Sequence, residues 1–136
     1  MEEKIMAGSK IKSIEQERAK AAYDFVKSVV YDEPDEVKKK YKSGAKKLPV
    51  LVKTNGLGQS LAFIRNRDKG WEKIYQHLTT WFQTKAMIPS GEPDLVGEVI
   101  KMESNDYRQV TLECIAFLTW LRRVADGLME DVEEEI

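Results

Sequence analysis

The chain carries a single cysteine, Cys114, and a single histidine, His77. One thiol cannot close an internal disulfide, which excludes a disulfide-stapled secreted scaffold. Four prolines and eight glycines in 136 residues are few for a chain of many tight turns. That scarcity argues against an all-β sandwich or barrel. No apolar run approaches the roughly 18 residues of a membrane span, so no membrane is expected as partner. Met1-Glu2-Glu3-Lys4 has no basic stretch leading into an apolar one. No secretory signal is therefore legible, and the expected compartment is the cytoplasm. The chain shows no internal repeat and no low-complexity segment.

What remains is an ordinary apolar share, 42%, beside a high charged share, 33%. A chain of this size buries about 68% of its unfolded surface and needs no metal or disulfide staple. The expectation is one domain over 1–136, with flexible ends at 1–10 and 129–136.

Periodicity predicts helices throughout. Ile14, Ala21, Ala22, Phe25, Val29 and Val30 recur at three- and four-residue steps, with Ser9 or Ser13 as the cap. Pro34 suits the first turn of a second helix bearing Val37, Tyr41, Ala45 and Leu48, in which Pro49 is a kink or a restart. Thr54 or Asn55 caps a third helix with Leu57, Leu61 and Ile64. Trp71, Ile74, Tyr75, Leu78, Trp81 and Phe82 form a clear amphipathic stripe. After the Pro89–Pro93 loop, Asp94 caps a short helix and Ser104 a long one. That last helix is apolar over more than half its circumference, which predicts a central position. The fold class is all-α: a compact bundle of five to six helices around a central C-terminal helix.

Catalytic chemistry finds little support. His77 lacks a partner at a spacing that builds a triad or metal site, and it flanks an apolar stripe. Cys114 lies in the core stripe of the last helix and reads as a buried, inert thiol. The carboxylates between Glu130 and Glu135 lack the glycine and alternating oxygens of a calcium loop. No cofactor and no metal is expected. Gly56-Leu57-Gly58 follows no strand and precedes no Lys-Ser or Lys-Thr pair, so it is no phosphate loop. A helix start there could hold one anion, but a tight turn with close packing is the favoured reading.

Charge is the informative feature. Residues 1–36 carry six basic and nine acidic side chains, residues 37–85 twelve and two, and residues 86–136 four and twelve. A net charge of −1 thus conceals a strongly basic middle and an acidic end. Lys38, Lys42 and Lys46 stand at four-residue steps, with Lys39, Lys47 and Lys53 beside them and Arg65 and Arg67 beyond. Like pairs at this spacing cost a few tenths of a kcal/mol each, which a facing polyanion offsets. Lysines act as point charges toward a phosphate backbone and do not read bases. The expected contact is sequence-independent and weakens steeply with salt. An acidic protein partner fits the same charges.

The run Thr54-Asn55-Gly56-Leu57-Gly58-Gln59-Ser60-Leu61-Ala62-Phe63 resembles the signature of a known family. Lys40-Tyr41, Lys47-Leu48-Pro49 and Ala19-Lys20-Ala21-Ala22-Tyr23 fit the same pattern. So do Tyr107-Arg108, Thr111-Leu112-Glu113 and Trp120-Leu121-Arg122-Arg123-Val124-Ala125. The family is the small α-helical subunit of the type III-B CRISPR effector, the Cmr or RAMP-module complex of antiviral defence. The resemblance runs from about residue 11 to 128. It implies a helical bundle with no catalytic activity of its own. Several copies would stack as a minor filament beside backbone subunits that hold the guide RNA and cleave target RNA. Expected partners are the backbone and large subunits, guide and target RNA, and further copies of the chain. The resemblance assigns RNA-backbone contact to Lys38, Lys39, Lys42, Lys46, Lys47, Lys53, Arg65 and Arg67. Arg108, Arg122 and Arg123 are second choices for RNA or subunit contact. Two other classes stand beside this reading: a helical adaptor that binds only acidic protein, and a small nuclease using His77.

Overall fold

A computed structural model of the chain describes residues 2–133, with side chains from residue 14 onward. Among these residues six helices follow one another: α1 Glu2–Asp32, α2 Asp35–Asn55, α3 Leu57–Ile64, α4 Lys69–Thr84, α5 Leu95–Ile100 and α6 Ser104–Leu128. No strand occurs among the described residues. The all-α bundle expected from the periodicity is therefore the fold.

Helix α6 lies along α1 on one side and α2 on the other. Its row Val110, Cys114, Phe117, Leu118, Leu121 and Ala125 is buried, while Leu112 is 62% exposed. The helix is central to the core but not enclosed. Helix α2 shares that place, packing on α1, α3, α4 and α6. Residues 41–45 are all buried, so the middle of α2 is enclosed around its circumference. Two glycines let α4 come so close. A Cβ on Gly70 would stand 2.8 Å from the backbone nitrogen of Tyr41, and one on Gly44 would stand 2.7 Å from Ile74 Cδ1.

Polar ties between elements converge on one carboxylate. Arg18 of α1 forks onto Glu113 of α6, both bonds 2.8 Å. Glu113 also accepts from Trp81 Nε1 of α4 at 3.2 Å, and Trp81 stacks on Phe117 with centroids 4.9 Å apart. A bidentate, partly buried pair of this kind is stronger than an ordinary surface ion pair. Glu113 holds the Arg18 guanidinium above its ordinary value, and the Trp120 indole N–H draws the Glu15 carboxyl below its own.

Several helix boundaries differ from expectation. Ser9 and Ser13 lie inside α1, which continues to Glu2, so neither caps it. Helix α2 runs through Pro49 without a restart. The third helix is not capped by Thr54 or Asn55, which belong to the last turn of α2. Gly56 takes that place at φ +88°, a left-handed value that ends α2 and begins α3 without a side-chain cap. Glu103, not Ser104, is the residue before α6. Asp94 precedes α5 as expected but makes no cap hydrogen bond. Asp68 does, accepting from Trp71 N at 3.1 Å. The core reaches past α6: Met129 is fully buried and Val132 packs on it. Residues 134–136 of the acidic tail lie outside the described residues.

Candidate nucleic-acid interface

The basic segment divides into two parts. In the first half of α2, Lys38 and Lys39 line a cavity of about 350 Å³ with Asp35, Asp131 and Glu133. Lys38 also lies 3.7 Å from Asp35. These two lysines face the acidic C-terminal turn.

Lys42 leaves the predicted site altogether. It is only 8% exposed, and its ammonium donates to the carbonyls of Met129 at 2.8 Å and Val132 at 2.9 Å. Carbonyls at a helix C-terminus lack helical partners and carry partial negative charge, so a cation there is stabilising. The four-residue spacing that joined Lys42 to Lys38 and Lys46 is correct as helix geometry. The C-terminal turn of the chain covers that point of the row.

The second half of α2 is open. Lys46, Lys47, Val50, Lys53 and Thr54 are exposed together on its outer face. Arg65 and Arg67 follow α3 and are exposed as well. Arg65 is held at 3.2 Å by Asp94. Arg67 stands over two rings, 4.7 Å from the centroid of Phe63 and 5.6 Å from that of Trp71. Arg108, Arg122 and Arg123 are exposed on α6 and make no ion pair among the described residues. The exposed basic residues are thus Lys46, Lys47 and Lys53 on α2 and Arg65 and Arg67 after α3, and the α6 arginines belong to another element.

Sequence reasoning passes over Lys69 and Lys73 as site residues. Both reach Glu33, at 3.6 and 3.8 Å, across the α1–α2 turn. Phe63 enters the sequence pattern only as part of a signature, yet it is 52% exposed beside Arg67. An apolar residue at an outward helical register was the available signal.

The glycine run is occupied by packing. Gly58 N donates to the Tyr107 hydroxyl at 2.9 Å, and the Ser60 hydroxyl donates to the Gly56 carbonyl at 2.7 Å. A Cβ on Gly58 would press on Ile100 at 3.3 Å. Close packing, not anion binding, explains these glycines.

His77 is stacked on Phe25 at 4.3 Å and shares a 2.8 Å hydrogen bond with Tyr41. Burial first, and the charge of Lys73 second, push its pKa down to about 4. A neutral imidazole tied into the core has no reacting group beside it. Cys114 is buried, and burial raises its thiol far above the range in which thiolate forms. No group of His, Cys, Asp and Glu suited to a metal occurs among the described residues. Nor is any described helix long and apolar enough to cross a membrane.

The profile of a family described as CRISPR-associated protein (Cas_Cmr5) matches residues 14–128. The "CRISPR system Cmr subunit Cmr5" of Thermus thermophilus is 30% identical over 114 residues, which cover 83% of this chain and 93% of that protein. The crystal structure of a CRISPR-associated Cmr5 family protein, also from Thermus thermophilus, superposes with a TM-score of 0.69 at 26% identity. That match covers 84% of this chain and 98% of the other.

Proposed function

Since this chain belongs to the Cmr5 family of CRISPR-associated proteins, we propose that it is a non-catalytic subunit of a Cmr complex that lies against the guide or target RNA backbone. The observation that carries the RNA contact is the exposed set Lys46, Lys47 and Lys53 on one helix face, continued by Arg65 and Arg67. Such cations neutralise phosphates without reading bases, which suits a subunit serving any guide. The basic middle and acidic end of the chain also suit head-to-tail stacking of copies. Heterologous contacts of that kind grow filaments rather than closed dimers. The backbone and large subunits, guide RNA and target RNA are the proposed partners.

The test replaces Lys46, Lys47 and Lys53 together by Glu in a reconstituted complex. All three are exposed, so the fold survives. RNA affinity falls by roughly tenfold or more at low salt, and the slope of log affinity against log salt flattens by about two to three. Unchanged affinity, slope and target cleavage would remove these lysines from any RNA contact. A second reading has one observation in its favour: Lys38 and Lys39 already face Asp131 and Glu133. The segment can thus match carboxylates, as an adaptor for an acidic protein would. In that case the triple change weakens subunit assembly and leaves RNA affinity unmoved.

A further inference from the structure

The last turns of α2 and helix α3 enclose a groove of about 200 Å³ lined by Leu51, Asn55, Gln59, Ser60 and Phe63. It is smaller than the roughly 300–1,000 Å³ pockets that enclose drug-sized ligands. Its walls are of two kinds. Leu51 and Phe63 offer an aliphatic and an aromatic surface. Asn55 and Gln59 are exposed, and their side-chain amides make no hydrogen bond among the described residues. The Ser60 hydroxyl is already engaged with the Gly56 carbonyl.

The register of the two helices adds charge at one end. Lys47 precedes Leu51 by four residues on α2, and Arg67 follows Phe63 by four residues. Lys47 therefore lies one helical turn farther from the Gly56 junction than Leu51 does, while Arg67 lies in the turn after α3. Arg67 already stands over the Phe63 ring, and Trp71 meets that ring edge-on at 6.4 Å.

We infer that this groove takes one unstacked base of single-stranded RNA, with the adjoining phosphates on Lys47 and Arg67. An exposed phenyl ring gives a base a surface to stack on, and every base has such a face. Each free amide offers a donor and an acceptor together, the pairing that a base edge presents. Positive charge from Lys47 and Arg67 near the groove favours a polyanion over a neutral apolar segment. Stacking plus amide contact adapts to any base, so the site adds affinity without adding sequence preference. The inference rests on the RNA contact proposed above, and its test separates the two.

The experiment titrates the full chain with two oligomers on the order of 12 nucleotides long. One is single-stranded RNA. The other is the same ribose-phosphate chain without bases. The natural protein is expected to bind the base-bearing oligomer roughly fivefold to thirtyfold more tightly. Phe63→Ala abolishes that difference and leaves affinity for the base-free chain unchanged. Gln59→Ala, at an exposed position that does not threaten folding, reduces the difference in the same direction. Equal binding of both oligomers by the natural protein overturns the groove and leaves the backbone contact standing. A preference for bases that survives both substitutions overturns it too, since the bases are then held elsewhere. Binding of neither oligomer overturns the groove, while the backbone contact stands or falls with the lysine substitutions in the reconstituted complex. Loss of a subunit contact in Phe63→Ala, with RNA affinity intact, assigns the groove to a protein and likewise overturns the inference.

Discussion

His77 and Lys42 show how little a residue's type says about its use until its surroundings are known. The imidazole is held neutral down to about pH 4, against an ordinary 6.5. As pH falls below 6.5 the unfolded chain takes up the proton first, so the folded state loses stability from there toward pH 4. The stability is fully present above that ordinary value, and the loss is on the order of 3 kcal/mol when complete. Between about pH 7 and 5, His77→Gln should therefore lose about 2 kcal/mol less than the natural chain in urea unfolding. Parallel pH profiles would refute this account. Lys42 illustrates the other side. Its spacing in the sequence is that of a surface row, and nothing local distinguishes it from Lys46. What removes it from the surface is a turn 87 residues away. A pattern read within one helix cannot carry that information.

Among the elements, the crossing of α2 and α4 depends on contact between backbones. At Gly70 an added methyl would meet Tyr41 N and Lys40 C, atoms that cannot swing aside. At Gly44 it would meet the tip of Ile74, which can rotate. Gly70→Ala should cost about 1–3 kcal/mol. Gly44→Ala should cost less, because the better helix propensity of alanine offsets part of the crowding. Thermal melts of the two variants check the order, and equal stability would mean the helices separate without penalty. The helices themselves were legible, because apolar residues recur at the α-helical period in all of them. Their ends were less so. The tight turn at the α2–α3 junction was legible from Gly56, but Tyr107 reaching Gly58 from α6 leaves no trace in the sequence around Thr54. The Asp68 cap is of the local kind, a carboxylate three residues before the Trp71 nitrogen that it accepts from.

For the whole molecule, charge and topology decide different things. The basic segment was legible as a run of like charge, and five of its eight predicted residues are exposed. Of the remainder, Lys42 is taken up by the carbonyls of Met129 and Val132, and Lys38 and Lys39 share a cavity with Asp131 and Glu133, an arrangement that only the closed bundle creates. An isolated chain with a basic middle and an acidic end should associate with itself at low ionic strength. Sedimentation should show heavier species in about 25 mM salt that dissolve near roughly 500 mM, where screening shortens to a few ångströms. Sedimentation independent of both concentration and salt would exclude charge-driven stacking.

The bonds from Lys42 to Met129 and Val132 also set an order of events during synthesis. The segment from α2 to α3 closes on neighbours close in sequence and forms early, since local contacts cost little loop entropy. The ammonium waits for the residues around Met129 to leave the ribosome. A chain that stopped before Met129 would hold a positive charge in the middle of α2 without its two carbonyls. Without the covering turn that ammonium returns to solvent and the core loses the buried Met129 side chain, so such a fragment is less stable and more exposed to proteases. The same contact that removes a lysine from the interface thus ties the stability of α2 to the turn that follows α6.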